Sequence, residues 1–147
     1  MKDLVAGGVH PSPIPHAKVV TATTYKNLCG VRGELILSKE IDLERKLNNT
    51  VFPGVQGSVI LHEVAAKAKA VCLGKVLKPE FRVYATQVLA NAWALAKTLF
   101  ENRIGVITGG TDTPLILVDL RNLQLTGQHA LDALETSGLI CNKNSVP

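Results

Sequence analysis

From Pro79 to Phe100 the apolar residues Phe81, Tyr84, Val88, Ala92, Leu95 and Leu99 recur at spacings of three and four. That period fits an α-helix of 3.6 residues per turn and does not fit a strand. Pro79 suits the first helical position, where its missing N–H has no intrahelical partner to lose. Trp93 and Phe100 widen the apolar stripe. The pattern predicts one long helix, with these side chains in the core.

Ahead of it, Lys18 to Thr24 is rich in β-branched residues and reads as a strand, Glu34 to Leu37 reads as another, and Lys26 to Gly33 forms the turn between them. A lysine at the end of a stiff strand, followed by a glycine-punctuated turn, is an arrangement in which an amine can be held in place while it condenses with an aldehyde. A plain solvated lysine is the common alternative. Pro11, Pro13 and Pro15 make the preceding segment a stiff connector. His10 and His16 lie there without an acidic or cysteine neighbour, and are read as loop histidines making ordinary hydrogen bonds. Ile41 to Asn49 is a short charged helix or a loop, and Val51 to Ser58 is a turn in which Ser58 can cap a helix beginning at Val59. Val59 to Leu73 is apolar nearly all round, which predicts a helix buried on more than one face and ended by Gly74. Within it Glu63 and Lys67 are spaced as a helical ion pair, and His62 is assigned to core or boundary packing.

After Asn102 the period changes. Ile104 to Ile107 reads as a strand, Gly109 to Asp112 as a turn, and Leu115 to Leu120 as a strand buried on both sides. Thr126 can cap a helix that runs through Thr136 and stops at Gly138, and Leu139 to Cys141 reads as a last strand. Strand, strand, helix, strand is the opening of a small α/β lobe.

At 147 residues, 46% hydrophobic and 19% charged, the chain has the composition of a globular protein of single-domain size. Its net charge of +4 is uneven: residues 1–78 hold eleven Lys/Arg against six Asp/Glu, and residues 79–147 five against six. The positive excess lies in the half that carries Lys26 and Arg32, which suits an anionic ligand such as a phosphate ester. No basic block interleaved with aromatics points to nucleic acid. Cys29, Cys72 and Cys141 have neither metal-ligand nor paired spacing, so no metal is expected and a reducing compartment is. No apolar run approaches the ~18 residues of a membrane span, and no cleavable leader is evident, so the expectation is a cytoplasmic protein. Catalytic triads, P-loops and paired-cysteine motifs have no counterpart.

Several stretches together resemble the serine hydroxymethyltransferase family. Val19 to Gly33 is similar to that family's run of threonines, histidine and lysine followed by Gly-Pro-Arg-Gly-Gly; Val51 to Ser58 to its Phe-Pro-Gly-x-Gln-Gly-Gly-Pro; and Gly109 to Asp112, Val118 to Arg121 and Asn142 to Pro147 to three later motifs. The likeness spans residues 4–147 and departs from the family pattern at Tyr25, Val31, Glu34, Ser58, Val59, Thr113 and Pro114. A tyrosine in place of the family histidine at position 25 cannot serve as a base near neutral pH as an imidazole can.

The resemblance implies part of the α/β fold type I of pyridoxal-phosphate enzymes: residues 1–78 from the end of the large cofactor domain, and 79–147 as the connecting helix and an incomplete small domain. It implies pyridoxal 5′-phosphate held as a Schiff base on Lys26, with Thr23 and Arg32 lining the site. Gln56 and Gly57 would lie near the cofactor phosphate across a dimer interface, and Asn144 near folate. The implied reaction interconverts serine and glycine with tetrahydrofolate and methylenetetrahydrofolate. The family aspartate that pairs with the pyridine nitrogen would fall before Met1, and its carboxylate-binding arginine beyond Pro147. The expectation is therefore a truncated or split chain with little turnover alone. The alternatives are a non-catalytic module docking on a full-length subunit, or another pyridoxal enzyme of the same fold type.

Overall fold

The computed structural model describes residues 2–69 and 73–144. Two compact units, Met1–Gln87 and Val88–Pro147, divide the chain. Helices and strands are mixed along it, as an α/β reading expects.

The first unit contains α1 (Lys2–Ala6), β1 (Val19–Thr23), β2 (Glu34–Ser38), α2 (Ile41–Asn49), a π-type turn (Thr50–Val55), α3 (Leu61–Lys69), α4 (Leu73–Val76) and the start of α5 (Pro79–Glu101). β1 and β2 pair antiparallel, with Val19 opposite Ser38 and Thr23 opposite Glu34. Both lie within a residue of their predicted limits, because β-branched and aliphatic residues bounded by a glycine turn favour a hairpin. Ser38 closes the far end by donating its hydroxyl to the Lys18 carbonyl oxygen at 2.8 Å. The charged segment after it is helical, and Thr50 Oγ1 donates to the Lys46 carbonyl oxygen (2.8 Å) at its end.

The core of this unit gathers on the first two turns of α5. Phe81 and Ala85 are buried there, and Leu28 packs on Phe81 together with Val76 and Tyr84. The Phe81 and Tyr84 rings lie 5.5 Å apart, within the range of a favourable aromatic pair. α1 crosses close to α5 because Gly7 has no side chain: a Cβ there would stand 2.6 Å from that of Ala85. Leu4 and Asp3 are buried with it.

The second unit holds the rest of α5, β3 (Gly105–Val106), β4 (Val118–Asp119), a 3-10 turn (Arg121–Leu123) and α6 (Gly127–Thr136). β3 and β4 pair antiparallel, Gly105 opposite Asp119 and Val106 opposite Val118. Asn122 Nδ2 donates to the Arg103 carbonyl oxygen (2.7 Å), tying the end of α5 to the 3-10 turn. α6 begins as its sequence predicts: Thr126 Oγ1 accepts from the His129 N–H (3.2 Å). It ends at Gly138, which donates to the Glu135 carbonyl oxygen (2.9 Å) while Leu139 donates to that of Leu134 (2.8 Å).

Burial follows part of the predicted stripe, Phe81 and Ala92, and departs from it elsewhere. On α5 the buried residues are Phe81, Ala85, Ala92 and Ala96, whereas Trp93, Leu95 and Phe100 are more than half exposed. At Ala85 the small side chain admits the close approach of Gly7. α3 is helical but not enclosed: Val59, Ile60, Leu61, Val64 and His62 are exposed, so His62 is not a packing residue. Apolar content asks for a covering surface but does not supply one. Ala70, Val71 and Cys72, counted in that predicted helix, lie outside the described residues. Gly74 sits inside α4 instead of ending a helix. Leu115 and Leu117 are exposed and fall outside β4, and Leu139 to Cys141 is not a strand, Ile140 being 95% exposed. A strand needs a partner for its backbone groups, which apolar residues by themselves do not provide. Among the described residues no helix is long and apolar enough to cross a membrane.

Candidate functional site: the Lys26 loop

The loop from Thr24 to Gly33 joins β1 to β2, and its backbone is closed on itself. The Thr24 N–H donates to the Gly33 carbonyl oxygen (2.8 Å), that of Gly30 to the Thr24 carbonyl oxygen (2.9 Å), and that of Cys29 to the Lys26 carbonyl oxygen (2.8 Å). Thr24 is fully buried, and its hydroxyl shares its one hydrogen between the carbonyl oxygens of Val31 (2.6 Å) and Gly33 (2.9 Å). One buried threonine thus fixes both ends of the turn. Sequence reasoning points to Thr23 and misses Thr24, although a threonine two residues before a lysine and ahead of a glycine turn is a ready side-chain-to-backbone clamp.

Lys26 itself is exposed and forms no ion pair with another described residue. The two residues after it are anchored. Asn27 Nδ2 donates to Asp3 Oδ2 (3.2 Å), and Leu28 is buried on Phe81. The amine therefore projects from a backbone pinned before and after it. Arg32 is exposed too, its guanidinium carbon 5.0 Å from the centre of the Tyr25 ring. That cation–π contact gives Tyr25 a role unrelated to acid–base chemistry. Lys67 makes no ion pair with Glu63; its side chain turns to Gly33, where an added Cβ would collide with Lys67 Cε and Nζ. Lys26, Arg32 and Lys67 consequently bring three cationic groups to one loop.

Thr23, at the end of β1, lines an apolar cavity of about 760 Å³ with Val20, Ala22, Leu35, Ile14 and His10, and Lys26 is not part of its lining. His10 Nδ1 donates to the Pro11 carbonyl oxygen at 3.0 Å, an ordinary loop hydrogen bond. Beneath the loop, burial, Cys29 and Asp3 hold the Tyr84 phenol above its ordinary value. Cys29 and Cys141 are free and exposed, and no group of three His, Cys, Asp or Glu suited to a metal occurs among the described residues.

The remaining predicted positions belong to other elements. Gln56 and Gly57 are exposed after the π-type turn, the Gln56 N–H donating to the Val51 carbonyl oxygen (2.9 Å). Asn144 belongs to the second unit, where its Oδ1 accepts from Asn142 Nδ2 (3.1 Å). Of the predicted residues, only Thr23, Lys26 and Arg32 share one hairpin and its loop.

The family model of serine hydroxymethyltransferase matches residues 1–147. This chain belongs to the serine hydroxymethyltransferase family. It is 53% identical to the serine hydroxymethyltransferase of Paramagnetospirillum magneticum and 56% identical to that of Marinomonas sp., each over 144 residues, covering 98% of this chain and 33% of the relative. The enzyme of that name from Zymomonas mobilis is 54% identical over the same length and coverage. The chain thus spans about a third of the length of the curated relatives it matches.

Proposed function

We propose that this chain carries the cofactor-lysine hairpin of a serine hydroxymethyltransferase, which exchanges the hydroxymethyl carbon of serine with tetrahydrofolate to give glycine and methylenetetrahydrofolate. The observation that supports it is the exposed Lys26 amine on a loop pinned by Thr24, Asn27 and Leu28. The donor set fits pyridoxal 5′-phosphate, an anionic aldehyde: Lys26 offers a primary amine, Arg32 and Lys67 offer positive charge, and Thr23 offers a hydroxyl at the cavity rim. When bound, that cofactor acts as an electron sink for bonds at the amino-acid α-carbon.

In this reading Lys26 fixes the cofactor in place, Arg32 holds negative charge beside it, and Thr23 donates or accepts a hydrogen bond at its edge. Gln56 and Gly57 present backbone to the cofactor phosphate of a neighbouring subunit of a dimer, and Asn144 contacts the folate. Residues 1–78 then form the end of the large domain and 79–147 the connecting helix and the start of the small one, within fold type I. The protein works in the cytoplasm. Because Lys26 and Arg32 are exposed in the chain alone, water is not excluded, and its turnover is expected to be small.

A second reading is favoured by the exposed apolar residues of α3 and by Trp93 and Phe100 of α5. In it the chain docks on a full-length subunit and contributes surface instead of turnover.

The test is to incubate the chain with pyridoxal phosphate, reduce with borohydride and map the adduct by peptide mass spectrometry. Label concentrated on Lys26 and lost in Lys26→Ala is expected. Label scattered over surface lysines and unchanged in Lys26→Ala would remove the cofactor role.

A further inference from the structure

Asp3 lies in the single turn of α1 and is 1% exposed, and one of its partners is on the loop that presents Lys26. Its Oδ2 accepts the Asn27 amide at 3.2 Å, and Asn27 is bonded in sequence to Lys26. A carboxylate withdrawn from water is costly unless hydrogen-bonded, so its burial indicates that the surroundings hold it in a defined place. Two features supply that place. Gly7 lets α1 close on Ala85 of α5, and Leu28, the residue after Asn27, inserts beside Phe81 of the same helix.

We propose that Asp3 is a positioning residue for Lys26, acting through Asn27: the α1 carboxylate fixes the C-terminal side of the loop as Thr24 fixes the N-terminal side. The two anchors differ in kind. Thr24 closes the loop on its own backbone, whereas Asp3 ties the loop to another element and so sets the direction in which the amine leaves the fold. Without the tie, the segment Tyr25 to Asn27 turns about its remaining anchors, and Lys26 samples directions away from a bound aldehyde. The inference rests on the cofactor reading of Lys26.

The experiment uses the full chain with two readouts, amide hydrogen exchange at Cys29 and Gly30 and the borohydride-trapped pyridoxyl label on Lys26 relative to Lys97. Asp3→Ala and Asn27→Ala are each expected to speed exchange at both amides by roughly tenfold, as local opening becomes easier. Both are also expected to lower the Lys26 share of label by roughly tenfold, because small misplacements of a reacting group are expensive in rate. Asp3→Asn keeps an acceptor for the Asn27 amide and is expected to preserve both readouts. The reversed pair Asp3→Asn with Asn27→Asp restores the hydrogen bond with its polarity exchanged, and is expected to recover what Asn27→Asp alone loses, even if Asp3→Ala fails to fold. Exchange and label unchanged in Asn27→Ala, or no recovery in the reversed pair, would overturn the positioning role. An unaltered chain that takes no label at Lys26 would overturn the cofactor reading, and with it the purpose of the tie; unchanged label in the variants beside normal labelling of the unaltered chain overturns the tie alone.

Discussion

Thr24 donates its buried hydroxyl to the Val31 carbonyl oxygen at 2.6 Å, across the mouth of the loop that carries Lys26. The same oxygen atom lies 2.9 Å from the Gly33 carbonyl, so one side chain serves both acceptors. A lysine on an open surface loop would spend its time dispersed among rotamers and backbone states; here only the side chain is free.

Thr24→Val keeps the shape of that residue and removes the donor. The Val31 carbonyl loses this donor while the Gly33 carbonyl keeps the Thr24 N–H, and a loss of about 1–3 kcal/mol in unfolding free energy is expected. Urea unfolding of the two chains, with Thr24→Ser as the variant that keeps the hydroxyl, checks it; equal midpoints for Thr24→Val and the unaltered chain would show the clamp to be without consequence.

Along α5 the structure separates residues that the sequence pattern groups together. Phe81 is 2% exposed and Trp93 57%, though both are large aromatics on one predicted stripe. Phe81→Ala is expected to cost about 3–5 kcal/mol by leaving a cavity beside Leu28, and Trp93→Ala to change stability by about 0.5 kcal/mol or less. Thermal unfolding of both variants decides, and a larger loss at Trp93 would place the core of the helix on its other flank.

Asp119 and Arg121 form a two-point contact, Arg121 Nη2 reaching Asp119 Oδ2 at 2.6 Å and Arg121 Nε reaching Oδ1 at 2.9 Å. Hydrogen bonds from the Arg121 side chain and backbone pull the Asp119 carboxyl from its ordinary 3.8 down to about 2. A carboxyl whose value falls on folding adds stability above its unfolded value and loses it as acid is added. The contribution of this pair is thus complete above pH 3.8 and disappears as the pH falls through about 2. Carbon-13 NMR titration of Asp119 should show a midpoint near 2 that returns toward 3.8 in Arg121→Ala. A midpoint unmoved by that substitution would dissociate the shift from the guanidinium.

Local chemistry was legible in the residue order. The hairpin of Val19–Thr23 with Glu34–Ser38, the long helix from Pro79 and the Thr126-to-Gly138 helix follow from β-branching, a 3.6-residue period, a capping hydroxyl and a terminating glycine. So did the family, because Lys26, Gln56–Gly57, Gly109–Asp112 and Asn142–Asn144 are contiguous motifs. Burial was legible only in part: Phe81 and Ala92 of the predicted stripe are buried, and Leu95 is exposed. Periodicity says which residues share a face; what covers that face depends on segments distant in sequence, which is why Ala92 and Ala96 are buried while Leu95 and Phe100 are not. The supports of Lys26 were hidden for the same reason. Asp3 meets Asn27 across 24 positions, and Lys67 leaves its helical neighbour Glu63 for Gly33. The sequence alone set Lys26 between a β-branched strand and a glycine turn, and the tertiary structure decided what holds that loop, since hydrogen bonds between distant segments exist only once α1, the loop and α5 have packed together.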